Sequence, residues 1–448
     1  MFGFFASPEK KMRGHAANWL ELAEKVYHFR RDVLSPTDVA DLQAKSAQLR
    51  TSLKERSDVS KLKLGIEALE ETLRRTGGKI YPKSSFVENI EFLLVAAIVI
   101  LGIRTYFIQP FKIPTNSMWP SYFGMTPQVY PTPKDEPSKP MQAARFLLLG
   151  ASSRRIDAPA DGEVLLPVGG GQGRSVFYNR IVSGRTWLVL PTKLREYVIL
   201  VDGVPVTFRV PLDFDFDWTV HDAFFPDQPS LGVAVEKAIR ARQAEVRTVM
   251  IDGRAETLRV IRTGKRVRKG ERVLSFDVLT GDQLVVDRMS YHFVRPSVGS
   301  GFVFRTGNIP GLSSDYGDQY YIKRLVGTPG DRIEIRSGVS STSDNAGGNR
   351  STSDASTVLM RNGRPIDEHA GAFRKNNERE GLYGGYQPGG ILELGQVATI
   401  PDGKFLALGD NSRNSLDGRS WGFVPGKDVV GRPLWIYYPF TNRWGPAK

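Results

Sequence analysis

Ile113-Pro114-Thr115-Asn116-Ser117-Met118-Trp119-Pro120 follows closely on the most apolar run of the chain, Phe92-Leu93-Leu94-Val95-Ala96-Ala97-Ile98-Val99-Ile100-Leu101-Gly102-Ile103. The run itself is about twelve residues, short of the roughly 20 that a spanning helix needs. Ile90 on one side and Tyr106-Phe107-Ile108 on the other supply the missing length, at the cost of including Glu91 and Arg104. Both charges fall near the ends, where long side chains reach water cheaply. The spacing therefore predicts a transmembrane helix over 88–109, with a buried helix of a soluble core as the alternative. Arg74, Arg75, Lys79 and Lys83 crowd its N-terminal flank, while Arg104 and Lys112 stand at the other end. The positive-inside rule then puts the N-terminus in the cytoplasm and everything after Gln109 outside. Ser117 falls just past the exit. A serine there means little alone, because its hydroxyl is a weak nucleophile without an adjacent base.

The composition of the 448 residues, 40% apolar and 24% charged, is that of a globular chain with room for two or three domains. A net charge of +13 suggests an acidic partner surface. No zinc-finger, helix-turn-helix or RNP pattern is present, so anionic lipid is expected rather than nucleic acid, with an ordinary basic surface as the alternative. The chain has no cysteine, which excludes disulfides, thiolate metal sites and a cysteine nucleophile. Its five histidines form no HExxH-type pair, so neither a zinc protease nor a Ser-His-Asp triad around Ser117 is expected.

Upstream of the apolar run, residues 1–83 are too polar for a cleavable signal peptide. Leu20, Leu22, Ala23, Val26, Tyr27 and Val33 space one amphipathic helix over 18–34. Ser35-Pro36-Thr37-Asp38 reads as a capping box with proline at the first helical position. It opens a second helix running to about Arg75, before Gly77-Gly78. The expectation is a helical hairpin of 1–83, either a docking device whose partner is unspecified or a solvated spacer. Downstream the pattern turns to strands. Alternating runs at 197–201, 204–210 and 256–261 accompany Asp202-Gly203 and Asp252-Gly253, which suit two-residue hairpin turns. One helix is expected in this region, over 231–243. Residues 337–357, rich in Ser, Thr, Asp, Asn and Gly, read as a loop, and Asn362-Gly363 as a turn. The glycine–aromatic stretch 381–390 reads as a surface loop.

Two later stretches change the standing of Ser117. Tyr320-Tyr321-Ile322-Lys323-Arg324-Leu325-Val326-Gly327-Thr328-Pro329-Gly330-Asp331 sets a lysine in an apolar, strand-like run. Gly409-Asp410-Asn411-Ser412-Arg413-Asn414-Ser415-Leu416-Asp417-Gly418-Arg419 packs polar side chains between apolar runs. In this order after an anchor, the three stretches resemble the boxes of the bacterial type I signal peptidases (leader peptidases), a serine–lysine protease family. The resemblance implies a mainly β catalytic region of signal-peptidase-like antiparallel fold. It makes Ser117 the nucleophile, Lys323 the general base and Ser415 the residue that orients the lysine. Thr115 stands where the family often has a serine whose hydroxyl joins the nucleophile's N–H in the oxyanion hole. Asp410, Asp417 and Arg419 fall on positions of a structural polar network. Met118 and Trp119 are placed to dip into the outer leaflet.

In the family, a strand like Gly281-Asp282-Gln283-Leu284-Val285-Val286-Asp287-Arg288-Met289-Ser290-Tyr291 follows the serine box almost at once. Here 128–279 intervene, and read as an inserted β-rich domain between a nucleophile segment (110–127) and the remainder of the catalytic domain (280–448). Within it, 156–164 and 264–273 faintly resemble the two halves of a barrel-sandwich hybrid, without the exposed Asp-Lys turn of a lipoyl carrier. Two departures stand out. Val298-Gly299-Ser300-Gly301-Phe302-Val303-Phe304 lacks the acid of the family's strand, and Asn414 replaces an acid after Arg413. The expectation is a membrane-anchored endopeptidase, without cofactor or metal, that removes signal peptides from exported preproteins on the outer face of the cytoplasmic membrane. Small residues at the −1 and −3 positions would be favoured. The alternatives are a cytoplasmic self-cleaving Ser–Lys protease, an inactive relative, and a tethered adaptor whose inserted domain is a binding module.

Overall fold

The computed structural model describes residues 8–82, 85–169, 175–186, 190–241, 243–312, 317–338, 357–366 and 371–447. It has two compact units, Met1–Leu101 and Gly102–Lys448. The first is helical: α1 (Pro8–Arg30), α2 (Pro36–Lys54) and α3 (Val59–Thr76) bury Leu20, Val26, Leu42, Leu49, Leu62, Leu69 and Leu73 against one another. The second arm of the expected hairpin is thus two helices. Its apolar face shifts phase between Leu53 and Leu62, and the polar run Lys54-Glu55-Arg56-Ser57-Asp58 breaks it there, with Arg56 at φ 52° and Asp58 at the N-cap of α3. The Ser35 cap is as expected, its hydroxyl accepting from Asp38 N at 3.1 Å.

α4 (Ser85–Tyr106) carries the apolar run, and is long and apolar enough over Phe86–Tyr106 to cross a membrane. It stops short of the expected Gln109. Ile108 already belongs to a strand, Ile108–Lys112, whose partner is Gln283–Asp287, and sheet pairing takes over from the helix there.

The second unit is β-rich. An eight-stranded antiparallel sheet runs in the spatial order Ile108–Lys112, Gln283–Asp287, Val429–Tyr438, Gly301–Arg305, Tyr320–Gly327, Lys404–Leu408, Val424–Pro425, with Gly445–Pro446 paired to Val429–Tyr438. A four-stranded sheet around Arg332–Ser337 and Thr357–Arg361 packs its core on Tyr386, Phe373 and Leu392. Residues 128–279 form a six-stranded sheet and most of a three-stranded one, in which Arg272–Leu279 pairs with Thr126–Val129 and Ser152–Asp157. Both Asp-Gly pairs turn hairpins with two successive positive φ angles, at Asp202-Gly203 and Asp252-Gly253, as I′ turns require. The stretches 156–164 and 264–273 lie side by side, Gly162 opposite Val267 and Ala158 bonded to Glu271 and Gly270.

Three readings change. Among the described residues of 128–279 there are three α-helices, α5 (Lys139–Leu149), α6 (Phe216–Phe224) and α7 (Leu231–Arg240), rather than one. α6 is short and is held by packing of Phe216, Thr219 and Val220, which single-segment periodicity underweights, whereas α5 buries none of its residues fully. The 381–390 stretch is no surface loop at its centre, since Tyr386 is fully buried in a core. Met118 is likewise buried, against Tyr122, Val303 and Val430, so it is not free to enter a leaflet. Asn362-Gly363 turns as expected, whereas most of 337–357 lies outside the described residues.

Candidate active site

Lys323 sits on a central strand, with Phe302 opposite on one side and Leu408 beside its neighbour Arg324 on the other. Successive side chains of a strand point to opposite faces. Lys323 and Arg324, both almost fully buried, therefore leave the strand in different directions. The strand opposite, Gly301–Arg305, pairs on both edges although it lacks the acid.

Ser117 is in a single 3₁₀ turn, Asn116–Met118. The turn is tied from within: Asn116 Nδ2 donates to Met125 O at 2.8 Å, and Gly124 N donates to Asn116 Oδ1 at 2.9 Å. Gly124 is required by contact, because a Cβ there would lie 2.2 Å from Thr115 C. The turn is also tied from outside. Asn411 N donates to Ser117 O at 3.1 Å, and Asn411 Nδ2 to Asn116 O at 3.0 Å. So held, Ser117 is 9% exposed and Lys323 4%, and Lys323 Nζ lies 2.5 Å from Ser117 Oγ across 206 positions of sequence. The Tyr321 ring centroid is 5.5 Å from the amine.

Ser415 lies in the same region, its Oγ buried beside Gly409, where a Cβ would come within 2.1 Å of it and 2.5 Å of Ser117 O. No hydrogen bond from Ser415 Oγ is found among the described residues, so the orienting bond to Lys323 is not formed in this arrangement. Thr115 is exposed and extended, directly before the turn, and makes no side-chain cap bond.

The other three expected residues carry two ion pairs. Arg324 grips Asp410 through Nε at 2.8 Å and Nη2 at 2.6 Å, and donates to Gly299 O at 2.6 Å. Burial alone would lower the Arg324 pKa, but the adjoining carboxylate outweighs it and raises the value. Asp417 is gripped by Arg419 at 2.8 and 2.9 Å and accepts from Gly409 N at 3.0 Å, while Arg419 also donates to Ser412 O at 2.7 Å. Together these pairs fix the 409–419 loop. Sequence reasoning missed Arg324, Ser121 and Tyr383: Ser121 Oγ donates to Asp410 at 2.5 Å and meets Tyr383 OH at 3.0 Å. Arg324 had a usable signal, since a cation inside a central strand must find a buried anion. Tyr383 had none, because its contact is purely tertiary.

Residues 274–438 match the family model of signal peptidase, peptidase S26. That match holds Lys323 and Ser415 but begins well after Ser117. The probable signal peptidase I-1 of Synechocystis sp. is 29% identical over 169 residues, covering 37% of this chain and 66% of its own length. The signal peptidase I of Leptolyngbya laminosa is 29% identical over 164 residues, covering 37% of this chain and 63% of its own. The chain thus spans under two-thirds of the length of these curated relatives. A crystal structure of a signal peptidase I from Enterococcus faecalis aligns with 31% of this chain and 97% of its own, at 23% identity and a TM-score of 0.20. Over residues 274–438, this chain is similar to the signal peptidases of that family.

Proposed function

We propose that the chain is a membrane-anchored serine endopeptidase that removes signal peptides from exported preproteins, with Ser117 as nucleophile and Lys323 as general base. The observation that carries the reading is the buried 2.5 Å contact between Lys323 Nζ and Ser117 Oγ. Ser117 Oγ attacks the scissile carbonyl carbon as Lys323 Nζ takes its proton. The lysine then returns that proton to the leaving amine as the C–N bond breaks and an acyl-enzyme remains. Water attacks the ester, again with Lys323 as base, and Ser117 is restored with its proton. The Ser117 N–H and the Thr115 hydroxyl serve as donors to the oxyanion. Ser415 is assigned the part of orienting the amine, while Asp410, Asp417 and Arg419 hold the loop that carries it.

The substrates are expected to be preproteins with small residues at −1 and −3, selected because bulky side chains clash in shallow pockets. The setting we propose is the outer face of the cytoplasmic membrane, with α4 as the single anchor, membrane lipid as the second partner, and residues 128–279 as a domain inserted into the catalytic one. The test is preprotein cleavage in detergent by the wild type, Ser117→Ala and Lys323→Met. Each substitution should abolish turnover, and the double variant should lose no more than either alone, since the two side chains act as one unit. Turnover by Ser117→Ala near the wild-type rate would sink the assignment.

A further inference from the structure

α6 has one face rooted in the inserted region and its first turn against the candidate active site. Phe216 is buried, 4.5 Å from the Tyr197 ring and 4.9 Å from that of Phe208, and Thr219 and Val220 are buried beside it. Asp217 accepts from Val176 N at 2.7 Å and from Ser175 Oγ. The helix is therefore fixed independently of the catalytic strands.

Its other contacts reach both sides of Ser117. Trp218 meets Trp119 edge-on, centroids 5.7 Å apart at 82°, and Trp119 is separated from Ser117 by one residue. Asp215, the N-cap of α6, accepts from Trp218 N at 3.3 Å and from Asn414 Nδ2 at 3.4 Å. Asn414 immediately precedes Ser415. Its N–H donates to Asn411 O at 2.9 Å, and Asn411 N donates to Ser117 O at 3.1 Å. The contacts close a ring: Ser117, Trp119, Trp218, Asp215, Asn414, Asn411 and back to Ser117. α6 lies before the residues matched by the family model, so the ring joins the inserted region to the chemistry.

We infer that the first turn of α6 is a brace for the active site, in which Trp218 and Asp215 are positioning residues that hold the Ser117 turn and the Ser415 turn in register. This inference rests on the Ser117–Lys323 reading. A base must sit within hydrogen-bond reach of the proton it takes, and a displacement on the order of 1 Å is costly in rate. Loosening the brace therefore lowers turnover and leaves substrate affinity nearly untouched, because neither residue is asked to contact substrate.

The experiment is steady-state cleavage of a preprotein by the full chain in detergent, measuring kcat and KM separately. Trp218→Ala and Asp215→Ala are each expected to lower kcat about three- to tenfold, the rate equivalent of an edge-to-face aromatic contact or a hydrogen bond, with KM unchanged. Trp218→Phe should retain most of the rate through its ring edge, and Asp215→Asn should do so through its amide oxygen. The Trp218→Ala loss should vanish in a Trp119→Ala background, since the effect travels through that contact. Undiminished kcat in both alanine variants, or losses at 119 and 218 that simply add, would overturn the brace. If Ser117→Ala is inactive in the same assay, that failure leaves the serine–lysine reading standing. Wild-type turnover by Ser117→Ala removes both.

Discussion

A methyl group at position 409 would lie 2.1 Å from Ser415 Oγ and 2.5 Å from Ser117 O. Neither neighbour is the free end of a long side chain, so one of the two site serines has to move. Gly409→Ala should lower kcat/KM by roughly 100-fold, the usual cost of a displacement near 1 Å. The thermal transition should shift little by comparison. Activity within a few-fold of wild type would show that the two serines need not keep this spacing. Lys323 sets a second expectation. A free lysine is protonated at neutral pH, with a pKa of about 10.4. Burial penalises the ammonium form, while the ring of Tyr321 at 5.5 Å acts in the opposite sense by attracting charge. Since only the neutral amine accepts the serine proton, cleavage should rise with pH until the lysine is deprotonated. A pH–rate profile flat from mildly acidic to alkaline conditions, with binding unchanged, would exclude a titrating lysine. The runs around Ser117, Lys323 and Ser415 stand out in the sequence because each is a short stretch of recognisable residues, and the fold brings Lys323 and the Ser415 run up to Ser117. Arg324, Ser121 and Tyr383 were not, because their parts are defined only by what the fold lays beside Asp410.

Among the elements, those governed by local chemistry were the readable ones. Asp202-Gly203 and Asp252-Gly253 turn as written because Asp and Gly tolerate the positive φ that the turns impose. The Ser35 cap likewise needs nothing beyond its own neighbours. The break between α2 and α3 is obscured by the density of leucines on both sides, although Leu53 and Leu62 stand half a helical turn out of phase and Ser57-Asp58 lies between them. α6 was harder still, since its meaning lies in Trp119 and Asn414, remote in sequence on either side. That helix also carries a pH signature. Burial pushes the Asp217 carboxyl up to about 6, with Asp215 nearby adding to the rise and bonds from Ser175 and Val176 and the charge of Arg195 opposing it. A carboxyl raised above its unfolded value binds more protons in the native state. Its contribution to stability is therefore greatest in acid and falls as pH rises from about 4 to about 6. Asp217→Asn removes that dependence. Measured by thermal unfolding, the variant should gain on wild type as pH goes from 4 to 7, by at most about 3 kcal/mol and less where water screens the group. A difference that stays constant over this range would show that Asp217 titrates normally.

For the whole molecule the deciding feature is α4. Phe92 is 75% exposed and Ile98 70%, and among the described residues none buries the apolar stretch Phe86–Tyr106. Water is a poor solvent for such a surface, whereas its 21 residues at 1.5 Å each give about 31 Å, close to the hydrocarbon thickness of a bilayer. The flanks assign a direction. Arg74, Arg75 and Lys79, with Lys83, precede the helix, and Arg104 and Lys112 stand at its far end, so by the positive-inside rule the N-terminal side is expected in the cytoplasm. No other helix among the described residues is long and apolar enough to cross a membrane, so Ser117, Lys323 and Ser415 are all expected on the opposite side. That is where a peptidase acting on exported chains has to work. The arrangement is testable with the intact chain in a bacterial host, carrying an epitope tag at each terminus. Protease added to spheroplasts should remove the C-terminal tag and leave a protected fragment of α1 to α4 with the N-terminal tag. Lysing the spheroplasts first should expose both tags. Protection of the C-terminal tag in intact spheroplasts would reverse the orientation, and the export role would fall with it.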